Sequence, residues 1–155
     1  MSAIGQCKFL EYAAEAMDDS AFGLHLAGQI DPRDVGMYFY AGSAARDLGE
    51  SLALFSRYCR IVNEAFRLTQ RSADTAIEFE FVGLPRYASR HNMEFVVAGI
   101  RTALRRISGH KVAPTKVAFA HNRNSDMWES PASRAARSQV ESQPTALSFR
   151  RKREC

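Results

Sequence analysis

Apolar and polar positions alternate with two different periods along this chain, and the place where the period changes is its centre. Leu48, Leu52, Phe55, Cys59 and Val62 recur at helical spacing. Asp47 stands before them with Glu50 three residues on, the spacing of a capping box. At Asn63-Glu64 the period changes to two. Phe66 and Leu68 alternate with Arg67 and Thr69, Ser72-Ala73-Asp74 reads as a turn, and Ile77, Phe79 and Phe81 alternate with Glu78 and Glu80. The pattern predicts a helix feeding a β-hairpin with one apolar face and one charged face.

Upstream, Phe9, Tyr12, Ala13, Ala16 and Met17 predict a first helix from about Gly5 to Met17. Asp18-Asp19-Ser20 ends it and caps a short second helix from Ala21 to Gly28, with Gly28 helping to stop it. Asp31-Pro32-Arg33-Asp34 is a further start signal. The stretch from Val35 to Ala45 is apolar on nearly every side. A helix there should be buried on several sides, with its glycines and alanines allowing close helix approach. Downstream, Gly83-Leu84-Pro85 closes the hairpin. Ser89 to Ser108 is the clearest amphipathic helix: Met93, Val96, Val97, Ile100, Leu104 and Ile107 form one stripe, while Glu94, Arg101, Arg105 and Arg106 face elsewhere. Gly109 stops it, Pro114 introduces a strand over Lys116 to His121, and Asn122 to Asp126 reads as loop. The fold class expected is α+β: a helical N-terminal half, then a β-hairpin, an amphipathic helix and a further strand forming a small antiparallel sheet.

From Met127 serine, alanine, arginine and glutamine dominate, with Pro131 and Pro144 and few large apolar residues. Disorder is expected there, or at most a fraying helix near Ala132 to Val140. The organisation expected is a folded domain over residues 1–126 and a basic low-complexity tail over 127–155. Of 21 Lys and Arg and 17 Asp and Glu in the 155 residues, six and three follow Met127. The folded body is therefore near neutral, which gives no electrostatic reason to bind nucleic acid. A hydrophobic share of 46% and a charged share of 25% are those of a globular protein. No apolar run reaches the roughly 18 residues of a membrane span. Glu11 and Glu15 interrupt the apolar start, so no signal peptide is expected. Cys7, Cys59 and Cys155 form no C-x-x-C pair, which argues against a disulfide framework or zinc site and for a reducing cytosol.

No catalytic or cofactor constellation is legible. His25, His91, His110 and His121 are scattered, Cys59 sits on an apolar helical face, and Glu78 and Glu80 read as a solvated strand face rather than a carboxylate pair. Ser20, Ser43 and Ser51 lack a nucleophile-elbow context. An enzyme is not expected, nor a metal or cofactor. Aromatic residues offer the one candidate pocket, with Tyr38, Tyr40, Tyr58, Phe79 and Phe119 as ligand-binding candidates beside Phe39. Arg150-Arg151-Lys152-Arg153 is a basic chain end with no partner motif.

The ordered series of elements resembles the N-terminal effector-sensing domain of AraC/XylS-type bacterial transcription regulators, of the arabinose-binding subtype. The matching residues are Phe9-Leu10-Glu11, Ala21 to Ala27, Pro32 to Gly36 and Leu48 to Leu52. The densest match is Arg57 to Leu68, and Val117 to His121 is the last shared strand. The resemblance implies a cytoplasmic sensor that binds a small-molecule effector and dimerises, and that controls an attached domain carrying two helix-turn-helix motifs. Relatives continue past that strand with a helix, a Phe-Gly-Cys-Pro-like turn and a further strand. None of these is legible after Asp126, so a domain truncated before its DNA-binding half is expected. Such a chain would form a homodimer or a mixed dimer with a full-length regulator, without contacting DNA or membrane itself. The alternatives are an interaction protein that inhibits an intact regulator, or a non-functional remnant. A sheet that ends early would leave an unpaired edge, favouring marginal stability or self-association.

Overall fold

Asp47 starts the central helix as its spacing predicts. In the computed structural model, which describes residues 3–70, 76–84, 90–109, 114–118 and 145–149, its carboxylate accepts the Glu50 N–H at 2.8 Å. The other arm of the box is displaced by one residue: the Glu50 carboxylate accepts from the Arg46 N–H at 2.8 Å and tethers the segment entering the helix. The described helices are α1 (Ala3–Ala16), α2 (Phe22–Gln29), α3 (Met37–Ser43), α4 (Leu48–Val62) and α5 (Arg90–Ser108). A 3-10 turn, Pro32–Val35, lies between α2 and α3. The strands are β1 (Phe66–Gln70), β2 (Ala76–Phe81), β3 (Pro114–Ala118) and β4 (Thr145–Phe149).

The hairpin keeps its period-two pattern in register. Phe66 faces Phe81, Leu68 faces Phe79 and Gln70 faces Ile77 across an antiparallel pair. Their apolar side chains are buried against Leu52, Phe55 and Cys59 of α4 and Met93, Val97, Ile100 and Leu104 of α5. The opposite face carries Arg67 and Glu80 in an exposed ion pair at 3.1 Å, worth at most about 1 kcal/mol. Burial of one face, not cross-strand charge, therefore fixes the register. Val62 ends the α4 stripe 54% exposed, because the helix stops there and Asn63 turns the chain into β1. The turn expected at residues 72–74 lies outside the described residues.

Four expectations are corrected. The stretch after Met127 contains strand β4, which inserts between β2 and β3 to give the antiparallel order β1-β2-β4-β3. Five residues in a polar, arginine-rich context are too short to register as a strand alone; pairing on both sides supplies the ladder bonds. That pairing extends the sheet beyond β2. The boundary at Asp126 lies outside the described residues, as do residues 119–121 of the strand expected over Lys116 to His121. Next, α3 is buried on one side only: Phe39 and Gly42 are buried, while Met37 is 75% and Tyr40 58% exposed. It is a short helix packed on α4, and little covers its outer face. Third, α2 continues through Gly28 to Gln29 and ends at the extended Ile30.

The fourth correction concerns Glu94, placed on the polar face of α5 but fully buried. The N-terminal half of α5 is wrapped by α1 and α2 as well as by the sheet side. His91, Asn92, Met93 and Glu94 are therefore all inside. The Glu94 carboxylate lies 3.5 Å from Arg90 Nε and 3.8 Å from His91 Nδ1. Glu11, which interrupts the apolar face of α1, accepts the His91 backbone N–H at 3.2 Å. A carboxylate from one helix thus satisfies a donor in the first turn of another, where the helix dipole favours negative charge.

Two glycines set the helix spacing. A Cβ on Gly23 would stand 2.1 Å from the His91 carbonyl oxygen, so α2 and α5 meet backbone to backbone. A Cβ on Gly42 would stand 2.3 Å from the Phe55 ring of α4, a close approach of the kind expected for this stretch. Gly42→Ala should destabilise by about 1–3 kcal/mol through overpacking. Gly23→Ala should cost at least as much, since a carbonyl in a helix yields less than a ring. Urea unfolding midpoints check both; wild-type midpoints would show that the helices can separate freely.

Candidate functional site

α5 has a second inward face beside its core stripe. Asn92, Phe95, Val96, Gly99 and Thr102 return at three- and four-residue spacing and line a cavity of about 170 Å³. Gln6 of α1, Ala27 of α2, Ile30, and Pro32 and Val35 of the 3-10 turn add to its wall, with Tyr38 and Phe39 of α3. Cys59, Val62, Asn63, Phe66 and Phe81 complete it from α4 and the hairpin. Both halves of the chain therefore contribute.

The polar lining is concentrated in three amides. Asn63 Nδ2 donates to Gln6 Oε1 at 3.1 Å, and Gln6 Nε2 donates to Asn92 Oδ1 at 3.4 Å. Asn92 Nδ2 in turn reaches Cys7 Sγ at 3.3 Å, and Asn63 Oδ1 accepts the Ala65 N–H at 3.1 Å. This relay joins α1, the end of α4 and α5 at the cavity. Cys59 is buried, and burial pushes its thiol upward, as it does for Cys7. Both stay protonated and behave as small apolar residues with weak hydrogen bonds. Among the described residues the buried Tyr38 hydroxyl has no hydrogen-bond partner. Burial, and then the nearby Cys59, push it far above the ordinary phenol range. Its ring lies 4.9 Å from that of Phe55.

The 3-10 wall is held by Asp31. Its carboxylate accepts from the Arg33 N–H at 3.0 Å and from Arg33 Nη2 at 2.6 Å, and it lies 3.6 Å from Arg106 Nη2 on α5. These contacts, the Arg33 side chain first, hold its carboxyl down to about 2.

Of the five aromatic candidates, Tyr38 lines the cavity. Tyr40 projects from the exposed side of α3, its ring 5.6 Å from that of Phe39. Tyr58 is on α4 with the Arg57 guanidinium 5.5 Å from its ring centroid, and it is not among the lining residues. Phe79 is buried in the core, 6.1 Å from the ring of Phe66, which does line the cavity. Phe119 lies outside the described residues. Gln6, Asn63, Asn92, Phe95, Gly99 and Thr102 were missed by sequence reasoning. On α5 the available signal was a periodic series of mixed polarity that overlaps the apolar stripe at Val96 and Ile100. Among the described residues no group of three His, Cys, Asp or Glu is placed to hold a metal.

Two outcomes follow for the ligand-free protein. Tyr38→Phe removes a buried unpartnered hydroxyl and should raise stability by about 1 kcal/mol in urea unfolding; a loss would mean that the hydroxyl is bonded. Asp31 has a lowered pKa, so its contribution is complete above the ordinary 3.8 and is lost as pH falls through about 2. The melting temperatures of wild type and Asp31→Asn should therefore differ at mildly acidic pH and converge towards pH 2. A gap that persists there would locate the effect elsewhere.

A search of curated proteins gave no match. The family model described as "Arabinose-binding domain of AraC transcription regulator, N-term" matches residues 1–153, nearly the whole chain. The match runs past Asp126 and includes β4, in agreement with the sheet. The chain belongs to this family of N-terminal, ligand-sensing domains of AraC-type transcription regulators.

Proposed function

We propose that this chain senses a small-molecule effector in the cavity walled by α5, the N-terminal helices and the hairpin, and that it acts in the cytoplasm as a dimer without reading DNA itself. The observation that carries the reading is the cavity: it is lined by residues of α1, α2, the 3-10 turn, α3, α4, the hairpin and α5, so an occupant lies between elements from both halves of the chain. A ligand that fits one arrangement of these elements better than another shifts the population towards it, which is how a sensor domain can bias an attached partner. Dimerisation is supported by exposed apolar side chains on α1, with Phe9 61% and Tyr12 71% exposed. The near-neutral body supports the absence of DNA contact.

Gly99 provides the test. A Cβ there meets nothing within 4 Å, so a side chain can grow into the wall without a clash. Gly99→Ala should stabilise the free protein by roughly 0.5–1 kcal/mol, since glycine is unfavourable within a helix. Gly99→Leu should stay folded and fill the space. In a thermal-shift screen of sugars, amino acids, organic acids and neutral aromatics, an effector at about a hundred times its Kd should stabilise wild type by roughly 2.7 kcal/mol. That shift should vanish in Gly99→Leu; one of equal size in both proteins would place the effector site elsewhere. Size-exclusion chromatography should show a dimer that Phe9→Ser with Tyr12→Ser converts to monomer.

A further inference from the structure

We infer that the effector is a neutral, mostly hydrocarbon molecule of about the bulk of a monocyclic aromatic, carrying one or two hydrogen-bonding groups, rather than a free sugar or an acid. This rests on the cavity being the effector site. Size sets the first limit. A volume of about 170 Å³ is near that of engineered cavities of roughly 150 Å³, which take up benzene.

Charge sets the second limit. Among the described residues no Lys, Arg, His, Asp or Glu lines the cavity. Of the charged groups next to them in sequence, Asp31 is engaged by Arg33 and Arg106, and Glu94 by Arg90 and His91; Arg101, between Ile100 and Thr102, is half-buried and not itself a lining residue. A carboxylate or ammonium in this space would be desolvated without a countercharge, at a cost of several kcal/mol.

Hydrogen-bonding capacity sets the third. Gln6 is bonded to both Asn63 and Asn92, and Thr102 Oγ1 donates to the Ala98 carbonyl at 2.9 Å. Each amide still has a spare proton or lone pair, so one or two ligand groups can join the relay. A sugar brings a hydroxyl on nearly every carbon. Most would face Phe39, Phe66, Phe81 and Phe95 with no partner, each at about 1–3 kcal/mol. The aromatic and aliphatic lining favours a hydrocarbon body by the same reasoning.

Benzamide and benzoate differ little in shape and by one charge at neutral pH, which makes them the deciding pair. Phenol and cyclohexanone serve as further neutral probes and L-arabinose as the sugar. Each would be titrated by calorimetry and by thermal shift into the full chain and into Gly99→Leu. Saturable binding of the neutral probes to wild type is expected, lost in Gly99→Leu, with benzamide at least tenfold tighter than benzoate and no response to arabinose. Benzoate equal to benzamide, or arabinose binding that Gly99→Leu abolishes, would overturn the ligand class while leaving the cavity as the effector site. Neutral probes that fail to bind wild type would overturn the class as well. A neutral probe that binds both proteins equally would overturn the class and the site together.

Discussion

The backbone contact between α2 and α5 is the constraint from which the rest of this domain follows. With no side chain at Gly23, the α2 backbone meets the carbonyl of His91 at the start of α5. That contact, the Glu11 carboxylate on the His91 N–H and the Arg90 guanidinium on the Ser20 carbonyl at 2.8 Å pin the N-terminal turn of α5 to the first two helices. Beyond that turn the same helix must also serve the sheet. One of its faces fills the core with Met93, Val97, Ile100 and Leu104, and the neighbouring face turns towards α1, α3 and the 3-10 turn. At Gly99 a Cβ would meet nothing within 4 Å among the described residues. Tight contact at one end of α5 and an unfilled wall further along it are two consequences of a single helix position.

An unfilled space of this size matters for stability. At about 24 cal/mol per Å³, an enclosed dry cavity of 170 Å³ would forgo about 4 kcal/mol of packing, which is an upper bound for this partly open, amide-bearing space. Domains of this size are stable by only about 5–15 kcal/mol, so even part of that cost is a sizeable share of what is available. A structural core would be expected to collapse around such a void. Here the 3-10 turn resists collapse, since Pro32 restricts the backbone and Asp31 holds Arg33 and Arg106 around it. The amide relay resists it as well, because moving α1 inward would break bonds that Gln6 makes to both Asn63 and Asn92.

Much of the scaffold was legible because it depends on local rules. The cap at Asp47, the period change at Asn63, the Phe66–Leu68 and Ile77–Phe79–Phe81 alternation and the α5 stripe each follow from neighbours within a few residues. What escaped depends on distant residues. Strand β4 becomes a strand because β2 and β3 flank it. Glu94 is inside because α1 and α2 cover a face that periodicity alone assigns to solvent. Met37 and Tyr40 are outside because α3 packs on one side only. The cavity escaped for a related reason. Its wall on α5 reads Asn92, Phe95, Val96, Gly99, Thr102, a mixture that scores as neither core nor surface. Aromaticity pointed to Tyr38, but a void is marked by the small side chain that fails to fill it, and Gly99 carries no signal of its own.

If the cavity is the effector site, as proposed, the shared wall also sets how strongly an occupant acts. To bias the arrangement of α1 tenfold, an effector needs a difference of only about 1.4 kcal/mol between its affinities for two states. One hydrogen bond gained or lost at Gln6 is of that order. The apolar body of a ligand touches both halves alike and contributes mainly affinity. The polar group contributes direction, because Gln6 is the lining residue that belongs to α1. The same helix carries Phe9 and Tyr12 on its exposed surface. A shift of α1 at the relay therefore moves the surface on which a second copy could pack. In the proposed reading, recognition of the ligand and presentation of a dimer surface are two faces of one helix.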